Sequence, residues 1–122
     1  MAPQFLWLFF GLSGRVDRKI YALACALSYI ARALPFYQVL RYPPDAAQSE
    51  FWSFVFIVAM IVSLWANVAL TVKRLHDADK PGTLAVITIL LDLFAVIWFT
   101  AMRGTSGPNR YGQRTNSPGP QA

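Results

Sequence analysis

Between Phe51 and Val72 the chain runs for 22 residues without a charged side chain. At about 1.5 Å per residue, a helix of that length crosses the roughly 30 Å hydrocarbon core of a bilayer. Two further apolar runs accompany it. Ile20–Leu40 holds 21 residues with one base, Arg32, and Thr83–Met102 holds 20 with one acid, Asp92. The sequence therefore predicts an all-α membrane protein. Its three transmembrane helices would lie at 20–40, 51–72 and 83–102, with a short interfacial N-terminal segment and a polar C-terminal tail.

Composition supports a membrane domain. Of the 122 residues, 56% are hydrophobic and 14% charged, less polar surface than a soluble domain of this size presents. Residues 1–112 read as one three-span domain and 113–122 as a disordered tail, since the stretch from Arg103 onward is rich in Gly, Pro, Ser and Asn. Phe5–Leu12 is apolar but eight residues long, and no base precedes it. That pattern predicts an interfacial helix rather than a cleaved signal peptide. Trp7, Tyr21, Tyr42, Phe51, Trp52 and Trp98 fall near the span ends, where aromatic rings anchor in headgroups. Pro43, Pro44 and Asp45 stop the first span, and the Pro81-Gly82 pair in the charged turn Lys73–Gly82 opens the third.

The net charge of +5 comes from bases clustered beside the apolar runs. This placement predicts contact with anionic headgroups and no nucleic-acid partner. Cys25 is the only cysteine, which excludes an intrachain disulfide or a thiolate cluster. No metal or cofactor is expected. With three crossings the two ends lie on opposite faces. Arg15, Arg18, Lys19, Lys73, Arg74 and Lys80 would share one face, and Arg41, Arg103, Arg110 and Arg114 the other. Six bases against four place the N-terminal side in the cytoplasm.

Arg32 and Asp92 are costly inside a membrane, at about 2.5–3.5 kcal/mol each near a helix centre. Counted from the N-terminal side, Arg32 lies 12 positions into its run and Asp92 nine into its own. At about 1.5 Å per residue their depths differ by ~5 Å, within an arginine's reach. The two are expected to face each other. Cys25 and Ser28 share a helical face with Arg32, Ser63 and Asn67 with Thr71, and Thr88 with Asp92. Such groups either hold helices together, at about 0.6–2 kcal/mol per contact, or form a proton or ion relay. Arg32 extending toward the interface is a third possibility.

Three short stretches interrupt the apolar background. They are Gly14-Arg15-Val16-Asp17-Arg18, then Lys73-Arg74-Leu75-His76-Asp77, then Gly104 to Gly112 with Gly107, Asn109, Arg110 and Tyr111 inside it. In this order around three apolar runs, the chain resembles the bacterial inner-membrane family known as domain of unknown function 805. That pattern is Gly-Arg-x-x-Arg, then Arg-x-His-Asp, then Gly-x-x-Gly-x-Asn-Arg-aromatic-Gly. The chain departs from it at Pro81-Gly82-Thr83, where the family usually has Ser-Gly-Trp, and at Asp92, where it is typically apolar with a proline. The resemblance implies a multi-pass inner-membrane protein of unestablished activity and supplies no catalytic residue.

On a shared face, Arg15 and Arg18 are expected to pair with Asp77 and Asp79, while Lys73 and Arg74 face lipid phosphates. Exposed pairs of this kind contribute about 0–1 kcal/mol. His76 and Asp77 are neighbours, but adjacent helical side chains point about 100° apart, so they form no dyad by sequence alone. No nucleophile elbow, zinc motif or phosphate loop accompanies them, and no enzyme is expected. A pH-sensing histidine stays open. In the third stretch the glycines permit positive φ, Pro108-Asn109 suits a tight turn, and Arg110 and Tyr111 would fold onto the headgroups. The chain thus reads as a non-enzymatic structural or interaction module, self-associating or bound to a larger membrane partner. The alternative is a small transporter or channel subunit using Arg32, Asp92 and Asn67.

Overall fold

The computed structural model describes residues 2–112 and 115–116, so the tail expected at 113–122 lies outside the described residues except for Thr115 and Asn116. The elements are α1 (Ala2–Phe10), α2 (Arg18–Arg41), α3 (Ala47–Asp77), a 3-10 turn (Gly82–Val86), α4 (Ile87–Leu91) and α5 (Leu93–Ala101). Among the described residues the regular elements are all helical.

Two of these helices, α2 with 24 residues and α3 with 31, are long and apolar enough to cross a membrane. Asp17 starts α2 by accepting the Ile20 N–H at 2.9 Å, a side-chain cap on an otherwise orphaned donor. The two helices run antiparallel, as their polar rungs show: Tyr21 meets Thr71, Ser28 meets Asn67 and Arg32 meets Ser63. Small residues between the rungs (Ala24, Ala66, Ala69) are buried and let the backbones approach. Leu27, Leu34, Phe54 and Ile61 point outward and stay exposed, as apolar solvent requires. The helix α3 also continues past the apolar run, so Lys73–Asp77 form its last turn rather than the start of a loop. The short α1 packs against that end of α3.

The third apolar run does not form a continuous span. It enters beside Val72, where Gly82 lies so close that a Cβ would stand 2.7 Å from the valine Cγ1. It then reaches Asp92, whose φ of 49° and ψ of −116° end α4 and reverse the chain. Aspartate is a weak helix former, and the one charged residue of the run is also its break. From there α5 returns beside α2: Tyr29 bonds Asp92 at the tip, and Leu93, Ile97 and Ala101 line a cleft together with Ala22, Cys25 and Ala26. The Phe99 and Met102 carbonyls come back to Arg74, at the level where the segment began. Each arm is about 14–17 Å long at the usual rises, half of a 30 Å hydrocarbon core. The expected third crossing is thus a helical hairpin whose tip is Asp92.

Candidate functional site

The hairpin brings all three motif stretches to one end of the bundle, where they close on a single carboxylate. Asp77, on the last turn of α3, bonds Arg15 through Oδ1 at 3.0 Å and Arg74 through Oδ2 at 2.8 Å. Both arginines are fully buried, at 1% and 0% exposure. Two guanidiniums on one carboxylate leave an excess positive charge, and main-chain carbonyls solvate it. Arg15 donates to Gly107, Gly112 and Thr105 oxygens at 2.7, 3.0 and 2.8 Å. Arg74 donates to Phe99 O at 3.0 Å and to Met102 O. Its planar fork lets one arginine bond several acceptors at fixed angles, which a lysine at 15 or 74 would not reproduce. Gly104 passes so near that any Cβ would overlap the Asp77 carboxylate, so the return strand needs glycine there.

The rest of the third stretch wraps the end of α3. Asn109 donates to His76 O at 2.9 Å and accepts the Tyr111 N–H at 2.9 Å, while its backbone pairs with Gly112. Tyr111 stacks on the His76 ring with centroids 3.9 Å apart and planes 4° from parallel. His76 Nδ1 bonds Gly14 O at 3.0 Å, so its ring links all three stretches and does not address Asp77. Gly14 takes φ 93°, a conformation that favours glycine, to present that carbonyl. Lys73 reaches the Trp7 and Leu8 carbonyls at the end of α1, with its ammonium 4.6 Å from the Trp7 ring centroid. A cation on the last carbonyls of a helix satisfies both the orphaned acceptors and the dipole.

Several expectations change. Lys73 and Arg74 do not face lipid phosphates: α3 continues through them and turns them inward, toward α1 and the returning arm. Arg15 meets Asp77, but Arg18 is exposed and does not pair with Asp77 or Asp79. Asp79 pairs instead with Arg110 at 3.2 Å, a half-exposed contact contributing about 0–1 kcal/mol. Arg110 and Tyr111 fold onto Asp79 and His76 rather than onto headgroups, and they share an end of the bundle with Arg15. Arg114 lies outside the described residues. Beyond the motifs, Asn116 donates to Asp17 at 3.0 Å and receives its N–H at 3.1 Å. Burial opposes ionisation of Asp17. The Ile20 N–H, the Asn116 amide and the charge of Arg74 outweigh it and hold the carboxyl below the ordinary aspartate range.

A second polar cluster sits at the hairpin tip. Asp92 receives Tyr29 Oη at 2.7 Å and Arg32 Nη1 at 3.3 Å, and Arg32 Nε donates to Ser63 Oγ at 2.9 Å. The arginine side chain is 10% exposed and the aspartate 47%. Ser28 donates to Asn67 Oδ1 at 2.7 Å. Arg32 Nη2 and Asn67 Nδ2 are buried without a partner among the described residues. Thr88 turns to its own Ala85 carbonyl and does not join Asp92. Tyr29 was not singled out in the sequence. Its position three residues before Arg32, on the same face, was the available signal.

By sequence, the chain is similar to known inner membrane proteins. The chain is 29% identical over 104 residues to the inner membrane protein YhaI of Escherichia coli K12, covering 84% of this chain and 83% of that protein. The counterpart in Escherichia coli O157:H7 matches to the same extent. No solved structure matches. A family model described as a protein of unknown function (DUF805) matches residues 9–113, through all three motif stretches and the tip cluster, and the chain belongs to that family.

Proposed function

We propose that this protein is a non-enzymatic structural or interaction module of the bacterial inner membrane, built from two crossing helices and one hairpin that enters and leaves from the cytoplasmic face. The observation that carries the reading is the Asp77 carboxylate bridging Arg15 and Arg74. The polar atoms of Arg15, Arg74, Asp77 and Asn109 are used on one another and on backbone groups, which supports a clasp rather than a reactive centre. Irregular backbone at membrane depth is tolerated where protein covers it, and α2 and α3 flank the hairpin.

Charge supports the orientation. Among the described residues, Arg15, Arg18, Lys19, Lys73, Arg74, Lys80, Arg103 and Arg110 gather at the clasp end, and Arg41 stands at the other. Eight bases against one is a stronger inside signal than six against four. The test uses single cysteines in a Cys25→Ser background, probed in intact cells with an impermeant maleimide. Gln48→Cys is expected to label, and Ser13→Cys and Ser106→Cys to label only after lysis. Labelling of Ser106→Cys but not of Ser13→Cys in intact cells would restore a third crossing and remove the hairpin.

The half-exposed Asp92 side chain is poorly suited to lipid and supports a covering partner, either a second copy or a larger membrane protein. Leu93→Cys, next to the tip and 51% exposed, is expected to give a disulfide-linked dimer on mild oxidation in membranes. Only monomer would point to a different partner. A second reading, a small transporter or channel subunit, has one observation in its favour: the unpartnered Arg32 Nη2 and Asn67 Nδ2 beside Asp92. Donors left over at such a place are where a water or a transported anion would bind.

A further inference from the structure

The two arms of the hairpin do not close on each other. Between them runs a cleft of about 600 Å³. One wall is Leu84, Ile87 and Leu91, spaced three and four residues apart and therefore on one face; the other is Phe94 and Trp98. Its floor is Leu75 and Phe99, and its lining carries one charged side chain, Lys80. Lys80 is exposed at the base of the hairpin, and its ammonium has no ion-pair partner among the described residues.

We propose that this cleft holds one acyl chain of an anionic phospholipid, with the headgroup phosphate at Lys80. Depth and charge both select this occupant. The arms reach about 14–17 Å, the thickness of one leaflet of a 30 Å hydrocarbon core, so the cleft is as deep as one acyl chain is long. It is apolar throughout that depth and basic only where the hairpin meets the motif end. A peptide segment would bring backbone N–H and C=O groups into a groove that offers them no polar partner. An acyl chain brings none. The bound lipid would fill the space between arms that otherwise touch only near the tip, and so support the hairpin against collapse.

This inference rests on the hairpin lying in the bilayer, as proposed above, and the experiment separates the two. In a variant with Trp7→Phe, Trp52→Phe and Trp65→Phe, Trp98 is the only tryptophan left. Its fluorescence is measured in nanodiscs containing a small fraction of acyl-brominated phosphatidylglycerol or, separately, acyl-brominated phosphatidylcholine. Bromine quenches tryptophan on contact. The expected result is quenching by the anionic lipid at about fivefold lower mole fraction, the preference one lysine at the membrane surface confers. Adding Lys80→Gln should equalise the two lipids while leaving the melting temperature of the clasp unchanged. Equal quenching by both lipids before that substitution would mean ordinary surrounding lipid and would overturn the site, leaving the hairpin in place. Quenching by neither would overturn the proposal, and the Ser106→Cys labelling described above would then tell whether protein covers the cleft or the hairpin lies outside the bilayer.

Discussion

Asp77→Asn is expected to lower stability by about 3–5 kcal/mol, the usual cost of removing one partner from a buried ion pair and leaving the other charge uncompensated. The cost is at the upper end here because one carboxylate serves two guanidiniums that are each almost wholly buried. Thermal unfolding of the detergent-solubilised protein, followed by tryptophan fluorescence, would read it as a large loss of melting temperature or as failure to accumulate in the membrane. Glutamate at 77 should not rescue. Gly104 packs against the carboxylate and leaves no room for another methylene. An Asp77→Asn protein as stable as wild type would mean that the carbonyls around Arg15 and Arg74 suffice alone, and the clasp would lose its centre.

At the other polar cluster the double change is expected to cost less than the single change of Asp92. Asp92→Asn keeps the size and shape of the side chain and removes only the charge. It leaves Arg32 without its counterion, and about 2.5–3.5 kcal/mol should be lost, the cost of an unpaired charge near a helix centre in lipid. Arg32→Leu together with Asp92→Asn removes both charges and should recover most of that stability, since apolar replacements for buried pairs are often neutral or better. Melting in detergent of the wild type, both single variants and the double variant completes the cycle. The same double variant in proteoliposomes, assayed with a pH-sensitive dye, separates the readings of the cluster. A structural pair predicts no difference in proton flux from wild type, and a relay predicts a flux that the double variant abolishes.

The two long helices were legible because a continuous apolar run of bilayer length has few other solutions. The approach of Arg32 and Asp92 was legible too: depth counting put them within an arginine's reach, and they lie 3.3 Å apart. The hairpin was not. Hydropathy reports that Thr83–Met102 is apolar but is blind to the direction of the chain, and two half-length arms have the same composition as one full span. The only local mark was Asp92 itself, read as half of a pair when it is also the reversal point. That one error carried the third motif to the wrong end of the bundle. It also made Lys73 and Arg74 look like lipid-facing bases, because the carbonyls they bind belong to segments the sequence reading had placed elsewhere. A better sequence signal existed in the motifs: stretches rich in Gly, Arg and Asn on supposedly opposite faces had no partners there, and together they complete one another.

Arg15 and Gly112 are joined across 97 residues, so the clasp links segments made far apart in time. During translation the helices α2 and α3 are made long before Thr105–Gly112 leave the ribosome. Until then Arg15 lacks the three carbonyl acceptors that this stretch supplies, and nothing ties the end of the hairpin to the side it started from. Insertion of this protein is therefore a decision made late. Thr105–Gly112 hold the end of the hairpin at the side where it began, and a nascent chain stalled before Thr105 presents a 20-residue apolar stretch indistinguishable in length from an ordinary crossing.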